Sequence, residues 1–107
     1  MTHKSKDREF AVIGLGRFGV TIALTLVEHG ASVLGIDHDP QLVQAMGDHL
    51  THTVALDSTD EEALQAVEIA QFHTVVVAIG DNFEGSVLTT VALKQLGVRN
   101  VVCKAIT

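Results

Sequence analysis

The sequence predicts an α/β fold built on a doubly wound parallel sheet, and three observations carry this prediction. An apolar run at 10–13 turns directly into the glycine triplet Gly14, Gly16 and Gly19, which has the spacing G-x-G-x-x-G. Strand-like and helix-like segments alternate along the chain with few residues between them. A second strand ends at the acid Asp37, about twenty residues after the triplet, as in dinucleotide-binding units. Together these features predict a Rossmann-like sheet with the strand order 3-2-1-4-5.

Each element follows from a local pattern. Short runs rich in Val, Ile and Leu are typical of strands covered on both faces of a sheet, and the predicted strands lie at 10–13, 32–37, 52–56, 74–78 and 100–104. Segments between them repeat apolar residues at helical spacing. The predicted helices lie at 17–29, from 40 to about 50, from the capping residues at 58–62 through 67, and at 83–96.

Helix boundaries are marked by capping residues. Gly30 and Gly97 follow the first and last helices, because glycine accepts the left-handed conformation that closes many helices. Asp39 fits the N-cap position before Pro40, which fits the first position of the second helix. Asn82 fits the N-cap of the last helix. For the third helix, two capping boxes are available, Ser58 with Glu61 or Thr59 with Glu62.

Length and composition limit what the chain can be. Its 107 residues suit one domain, and its 47% of hydrophobic residues, without Trp or Tyr, predict a core of Val, Ile, Leu and Ala. The formal charge of −6 argues against a nucleic-acid partner, which needs basic side chains. No apolar run approaches the roughly 20 residues of a membrane helix, so we expect no direct membrane insertion. The single cysteine, Cys103, is expected to be a small core residue of the fifth strand.

The chain is expected to hold one folded unit and a tail. Residues 1–8 are short and charged, which predicts a disordered N-terminal tail. Residues 9–107 form the predicted nucleotide-binding domain. Because the sequence stops directly after the fifth strand, we expect a domain truncated before strand six and incomplete at its C-terminus.

The glycine triplet has a mechanical interpretation. Gly14 lets the chain turn off the strand, Gly16 lets the backbone approach a pyrophosphate, and Gly19 lets the helix pack closely on the sheet. The helix that begins at Arg17 would direct its free N–H groups at the phosphates. The alternative is an ordinary glycine turn that holds no ligand.

Asp37 is the candidate ribose ligand. A carboxylate at this position can accept hydrogen bonds from both ribose hydroxyls, and it repels a 2′-phosphate. The alternative is a helix-capping acid before Pro40, but Asp39 already fits that role. We therefore expect a nucleotide with a free 2′-hydroxyl, and not NADP.

Five segments make the chain similar to the N-terminal lobe of the RCK domain (regulator of potassium conductance), also called the TrkA-N domain. They are F-A-V-I-G-L-G-R-F-G, V-L-G-I-D, L-D-S-T-D, V-V-V-A-I-G-D-N and E-G-S-V-L-T-T-V-A-L-K-Q-L-G. The resemblance implies a cytosolic regulator that assembles into rings and responds to adenine nucleotides, so the expected ligand is an adenine nucleotide, ATP/ADP or NAD/NADH. Its relatives include the soluble subunits of bacterial Ktr- and Trk-type potassium uptake systems.

The resemblance also bears on single residues. It implies that Arg17 contacts the phosphates, and that Asp57 and Ser58 border the adenine. Ile79, Gly80 and Asp81 follow strand four and are expected to wall the pocket beside the ribose. Lys104 ends strand five at the same edge, where it meets phosphate or is merely solvated. The full set of predicted nucleotide-binding residues is Gly14, Leu15, Gly16, Arg17, Phe18, Gly19, Asp37, His38, Asp57, Ser58, Ile79, Gly80, Asp81 and Lys104.

The leading functional hypothesis is a nucleotide-sensing domain that controls a membrane potassium channel or transporter from the cytoplasmic face. The alternatives are an NAD-binding fragment of a dehydrogenase and a cytosolic domain of a cation/proton antiporter. We expect no enzyme activity, because the length leaves no substrate domain. We also expect a homo-oligomer, in which dimers build toward a ring, because the helix at 83–96 is apolar nearly all round. His49 and His52 lack the further ligands of a metal site, so no metal is predicted.

Overall fold

The computed structural model describes residues 8–104 of the chain. The remaining parts of the predicted tail and of the C-terminus, 1–7 and 105–107, lie outside the described residues. Five strands are present, β1 Glu9–Ile13, β2 Ser32–Asp37, β3 His52–Ala55, β4 Thr74–Val77 and β5 Asn100–Cys103. The helices are α1 Arg17–Glu28, α2 Pro40–Met46, α3 Glu61–Ala66 and α4 Phe83–Gln95, with a short 3-10 turn at Ile69–Gln71 after α3.

All strand pairs in the sheet are parallel, and the strand order is β3-β2-β1-β4-β5. This confirms the predicted fold and order. From β1, the strands that follow in the sequence are added on one side as β2 and β3, and then on the other side as β4 and β5. The order of the strands therefore reverses between the neighbours β1 and β4. Loops at the carboxyl ends of these two strands run in opposite directions, which opens a crevice at that edge of the sheet.

The core has two layers, one on each face of the sheet. Because side chains alternate along a strand, Ala11 and Ile13 of β1 pack toward α3 and α4, together with Leu64 and Leu93 of those helices. Val12 points to the opposite layer. That layer is completed by residues of α1, α2, β2 and β4, among them Ala23, Met46, Val33 and Val76. Burial on both faces explains why the central strands are almost wholly apolar.

Most of the predicted helix boundaries are present. The Asp39 carboxylate accepts a hydrogen bond from the Gln41 N–H at 2.9 Å, at the start of α2. The Asn82 side-chain oxygen accepts from the Gly85 N–H at 2.9 Å, at the start of α4. Gly30 follows α1 with φ at +87°. Helix α2 ends at Met46, earlier than predicted, because a turn occupies the residues up to Leu50.

The predicted capping box of α3 is wrong. Asp60 is the N-cap, and its carboxylate accepts from the Glu62 N–H at 3.0 Å. The chain makes one more turn before this helix, since the Asp60 N–H donates to the Asp57 carbonyl at 3.0 Å. Ser58 and Thr59 lie within that turn. The Ser58 hydroxyl bonds to the Thr89 hydroxyl, and the Thr59 hydroxyl bonds to the Asp57 carboxylate.

The prediction that Cys103 is a core residue is also wrong. Cys103 lies on β5 as expected, but its side chain is exposed. β5 is an edge strand of the described sheet and pairs only with β4. The Cys103 sulfur lies 3.2 Å from the hydroxyl of Thr90 on α4. A residue on a central strand is covered by a strand on each side and by a helix. Cys103 has a strand on one side only, so its side chain stays exposed.

Candidate functional site

A cleft of about 840 Å³ lies at the carboxyl ends of β1, β2, β3 and β4. Its position matches the crevice that the change of strand direction opens, and its volume lies in the range of small-molecule sites. The residues that line it are Ile13, Gly14, Gly16, Ile36, Asp37, His38, Asp39, Leu42, Leu56, Asp57, Ser58, Thr59, Ala78, Ile79, Gly80, Asp81, Asn82, Glu84, Gly85, Leu88 and Thr89.

The glycine loop is packed too tightly for side chains at two positions. Gly14 has φ at +101°, and a Cβ there would lie 2.8 Å from the Ala78 carbonyl oxygen. A Cβ on Gly19 would lie 1.7 Å from the Gly14 carbonyl oxygen. By contrast, nothing lies within 4 Å of a Cβ on Gly16, which therefore presents open backbone to the cleft. This is the arrangement that a close approach by a phosphate requires.

Asp37 connects the glycine loop to the end of β2. Its buried carboxylate accepts hydrogen bonds from the Leu15 N–H at 2.7 Å and from the Asp39 N–H at 2.9 Å. An ionised carboxylate offers about four acceptor positions. The two backbone hydrogen bonds therefore do not exhaust the acceptor capacity of Asp37, which a ribose ligand requires. His38, also at the cleft, places Nδ1 3.4 Å from the same carboxylate.

The corner after β3 carries a second carboxylate. Asp57 accepts from the Thr59 hydroxyl at 2.7 Å and from the Thr59 N–H at 2.9 Å. These hydrogen bonds, and secondarily the nearby His38, hold the pKa of Asp57 below its ordinary value. Asp57 is therefore ionised at neutral pH.

Ser58 joins this corner to the opposite wall of the cleft. Its hydroxyl lies 2.7 Å from the hydroxyl of Thr89 on α4, and both residues are buried. A buried hydroxyl pair of this kind fixes the position of α4 relative to the loop after β3, because separating it would leave two unsatisfied polar groups.

Nine of the predicted site residues line the cleft, namely Gly14, Gly16, Asp37, His38, Asp57, Ser58, Ile79, Gly80 and Asp81. The other five lie beside it. Leu15 and Gly19 are buried, and the Leu15 N–H is already bonded to Asp37. Arg17 and Phe18 are exposed on the first turn of α1. The Lys104 ammonium lies 4.8 Å from the centre of the Phe18 ring.

Several lining residues were missed by the sequence reasoning. Leu42 and Leu88 are the notable ones, because they add large apolar side chains to a polar cleft. Leu42 lies in the first turn of the helix after Asp37, and Leu88 lies in the second turn of the helix after β4. In a doubly wound sheet the first turns of such helices flank the ligand crevice. For Leu42, a leucine in the first turn after Asp37 is the signal that was available, whereas Leu88 lies one turn further along its helix and the sequence carries no such signal for it.

The cleft itself is acidic. Carboxylates of Asp37, Asp39, Asp57, Asp81 and Glu84 line it, and none of its described lining residues is Lys or Arg. Within this acidic lining, the N–H groups at the N-terminus of α1 are the groups that favour an anion, and Arg17 is the first residue of that helix. The described part of the chain holds no group of three or more His, Cys, Asp or Glu side chains that could bind a metal ion. His49 and His52 are exposed. Across residues 8–104, no helix combines the length and the apolar character needed to cross a membrane.

Known proteins provide close matches to this chain. The Ktr system potassium uptake protein C of Bacillus subtilis is 46% identical over 98 residues, which are 92% of this chain and 44% of that protein. The Ktr system potassium uptake protein A of the same organism is 43% identical over 100 residues, 94% of this chain and 45% of that protein. The chain therefore spans less than half the length of these relatives.

The fold is shared with solved nucleotide-binding domains. The NAD(P)-binding domain of an exopolyphosphatase-related protein from Archaeoglobus fulgidus superimposes with a TM-score of 0.82 at 21% identity, covering 92% of this chain and 73% of that one. The family model of the TrkA-N domain, a Rossmann-like nucleotide-binding domain, matches residues 10–107. The chain belongs to the TrkA-N domain family.

Proposed function

We propose that this domain binds an adenine nucleotide and that binding controls a membrane potassium transporter from the cytoplasmic face. The observation that carries the proposal is Asp37, which lines the cleft, has acceptor capacity beyond its two backbone hydrogen bonds, and is bonded to the glycine loop through the Leu15 N–H. A ligand that engages Asp37 with its ribose therefore extends toward the α1 N-terminus with its phosphates. The potassium-uptake names of the relatives support the transporter as the partner.

A substitution of Arg17 tests the proposed contact with the phosphates. We expect the exposed Arg17 guanidinium to contact the terminal phosphate, since the cleft lining is acidic. Arg17→Gln should then weaken ATP by about 1.5–3 kcal/mol, ADP less, and AMP hardly at all. The loss should shrink with added salt. Isothermal titration calorimetry measures these affinities.

The matched control is Arg99→Gln. Arg99 is also exposed but precedes β5, at the end of the sheet opposite the cleft. This change should leave all three affinities unaltered. Equal losses for ATP, ADP and AMP in Arg17→Gln, or no loss, would contradict the role of Arg17 and favour a plain dinucleotide site.

We also propose that a second copy of the chain covers one face of α4. Phe83, Val87 and Val91 follow one another at a spacing of four residues and are 70%, 42% and 47% exposed. We call these three residues the α4 apolar face. Leu93, on the inward side of the same helix, is fully buried against the sheet. Exposed apolar patches of this kind mark protein contacts. A nucleotide that favours one arrangement of the copies would shift the transporter between two states.

A binding function is proposed in preference to catalysis. The same fold occurs in dehydrogenases, so the fold does not decide the question. We expect no NADH-dependent turnover of simple alcohols or hydroxy acids. Turnover that a single side-chain change abolishes would restore the dehydrogenase alternative, whereas co-purification with a cation/proton antiporter would favour the antiporter alternative.

A further inference from the structure

We propose that Phe18 is a positioning residue, whose ring holds the Lys104 ammonium at the phosphate end of the cleft. The inference rests on the proposed nucleotide binding and adds to it. Phe18 would thus influence phosphate affinity through Lys104 and without itself touching the ligand.

Three elements meet at this point. The Lys104 ammonium lies 4.8 Å from the centre of the Phe18 ring, within the range of a cation–π interaction. The Lys104 main chain is fixed, because its N–H donates to the Val77 carbonyl at 3.0 Å. A Cβ on Gly80 would lie 3.2 Å from the Lys104 ammonium. The lysine side chain therefore crosses the bare backbone of Gly80 to reach the first turn of α1.

Among residues 8–104, no carboxylate lies within ion-pair distance of the Lys104 ammonium. Arg17 is the residue next to Phe18, so two cations lie close to the N-terminus of α1. Cations at the positive end of a helix dipole are unfavourable until an anion joins them. A phosphate that binds to this helix N-terminus relieves that repulsion.

The ring has a clear physical purpose. A free lysine side chain loses rotamer entropy when it binds a phosphate. Phe18 is 41% exposed, so its ring is available as a surface on which the ammonium rests before the ligand arrives. Pre-positioning reduces the entropic cost of binding, and the gain should apply only to ligands with phosphates.

A double-mutant cycle on the whole chain tests this role. The variants are Phe18→Leu, Lys104→Met and both together, with ATP and adenosine titrated by calorimetry. Phe18→Leu should weaken ATP about two- to fivefold, as expected for losing an exposed cation–π interaction, and leave adenosine unchanged. With Lys104→Met present, it should cause no further loss. Phe18→Tyr should restore ATP affinity. Lys94→Met, an exposed lysine near the far end of α4, is the charge control.

A readout without ligand separates this inference from the proposed function. In the wild-type protein, the ε-methylene protons of Lys104 should be shifted upfield in the NMR spectrum by the Phe18 ring, and Phe18→Leu should remove the shift. An unshifted signal in the wild type would overturn the positioning role. So would additive losses in the cycle, or an equal loss for adenosine. If the wild type binds neither ATP nor adenosine while the upfield shift is present, the proposed function fails, and the influence on phosphate affinity fails with it.

Discussion

At the scale of single residues, Asp37 links protein stability to ligand binding. Asp37→Ala would leave the buried Leu15 N–H without its partner at 2.7 Å and would remove the proposed ribose acceptor. We expect adenosine nucleotides to weaken by about 1–3 kcal/mol and the free energy of unfolding to fall as well. NADP should bind less tightly than NAD to the wild type, because its 2′-phosphate faces this carboxylate.

Calorimetry and urea unfolding measure the two effects of Asp37→Ala. Asp48→Ala is the charge control, since Asp48 is exposed in the turn after α2. An unchanged nucleotide affinity in Asp37→Ala, or equal affinities of the wild type for NAD and NADP, would contradict the proposed ribose site.

Asp57 gives a prediction in pH. Hydrogen bonds from Thr59 lower its pKa in the folded state, so the ionised form stabilises the fold. This stabilisation is fully present above the ordinary pKa of an aspartate and is lost as the pH falls through the lowered folded value. The difference in unfolding free energy between the wild type and Asp57→Asn should therefore shrink from about pH 5 downward. Urea unfolding across a pH series checks this, and a difference that does not vary with pH would contradict it.

At the scale of elements, the cap of α3 is testable. The helix has only six residues, and the Asp60 carboxylate accepts from the N–H groups of both Glu62 and Ala63. We expect Asp60→Ala to lower the free energy of unfolding by about 1 kcal/mol. Equal stability of Asp60→Ala and the wild type in urea would rule out this cap.

The elements were predictable because each depends on residues close together in the chain. The strand pattern, Pro40 after Asp39, and glycines at helix ends all act within a few positions. The cap of α3 was not predictable in this way, because Asp57, Ser58, Thr59 and Asp60 compete for the same backbone groups. The Ser58 hydroxyl is not available as a cap because it is hydrogen-bonded to Thr89, and this contact joins residues 31 positions apart in the sequence.

The residues of the candidate site that lie directly after the ends of strands were predictable from the sequence. Gly14, Asp37, Asp57 and Gly80 line the cleft because parallel strands all end at one edge. Leu88 was assigned only to the apolar surface of α4, although it lines the cleft. Its direction depends on how far α4 rotates about its axis on the sheet, which the spacing of apolar residues does not fix when the helix is apolar nearly all round.

At the scale of the whole molecule, the α4 apolar face predicts self-association. Val91→Glu should shift the protein toward monomer, because a buried carboxylate without a partner opposes association. Gln44→Glu adds the same charge to an exposed position of α2, which packs on the opposite layer of the sheet from α4, and is the matched control. Light scattering over a range of concentrations gives the molar mass. A wild-type protein that stays monomeric at high concentration would contradict the proposed contact.

The strand order also predicts that the floor and the wall of the cleft differ in local stability. β1 and β4 each have a neighbour on both sides, whereas β3 is an edge strand, and the turn after it forms one wall of the cleft. Amide hydrogens of Val12 and Val76 should therefore exchange with solvent only through global unfolding. Those of Asp57 to Asp60 should exchange through local opening, which needs less free energy. Such an opening breaks the Ser58–Thr89 hydroxyl pair transiently and leaves the floor of the cleft intact, so we expect a ligand to exchange without unfolding of the domain.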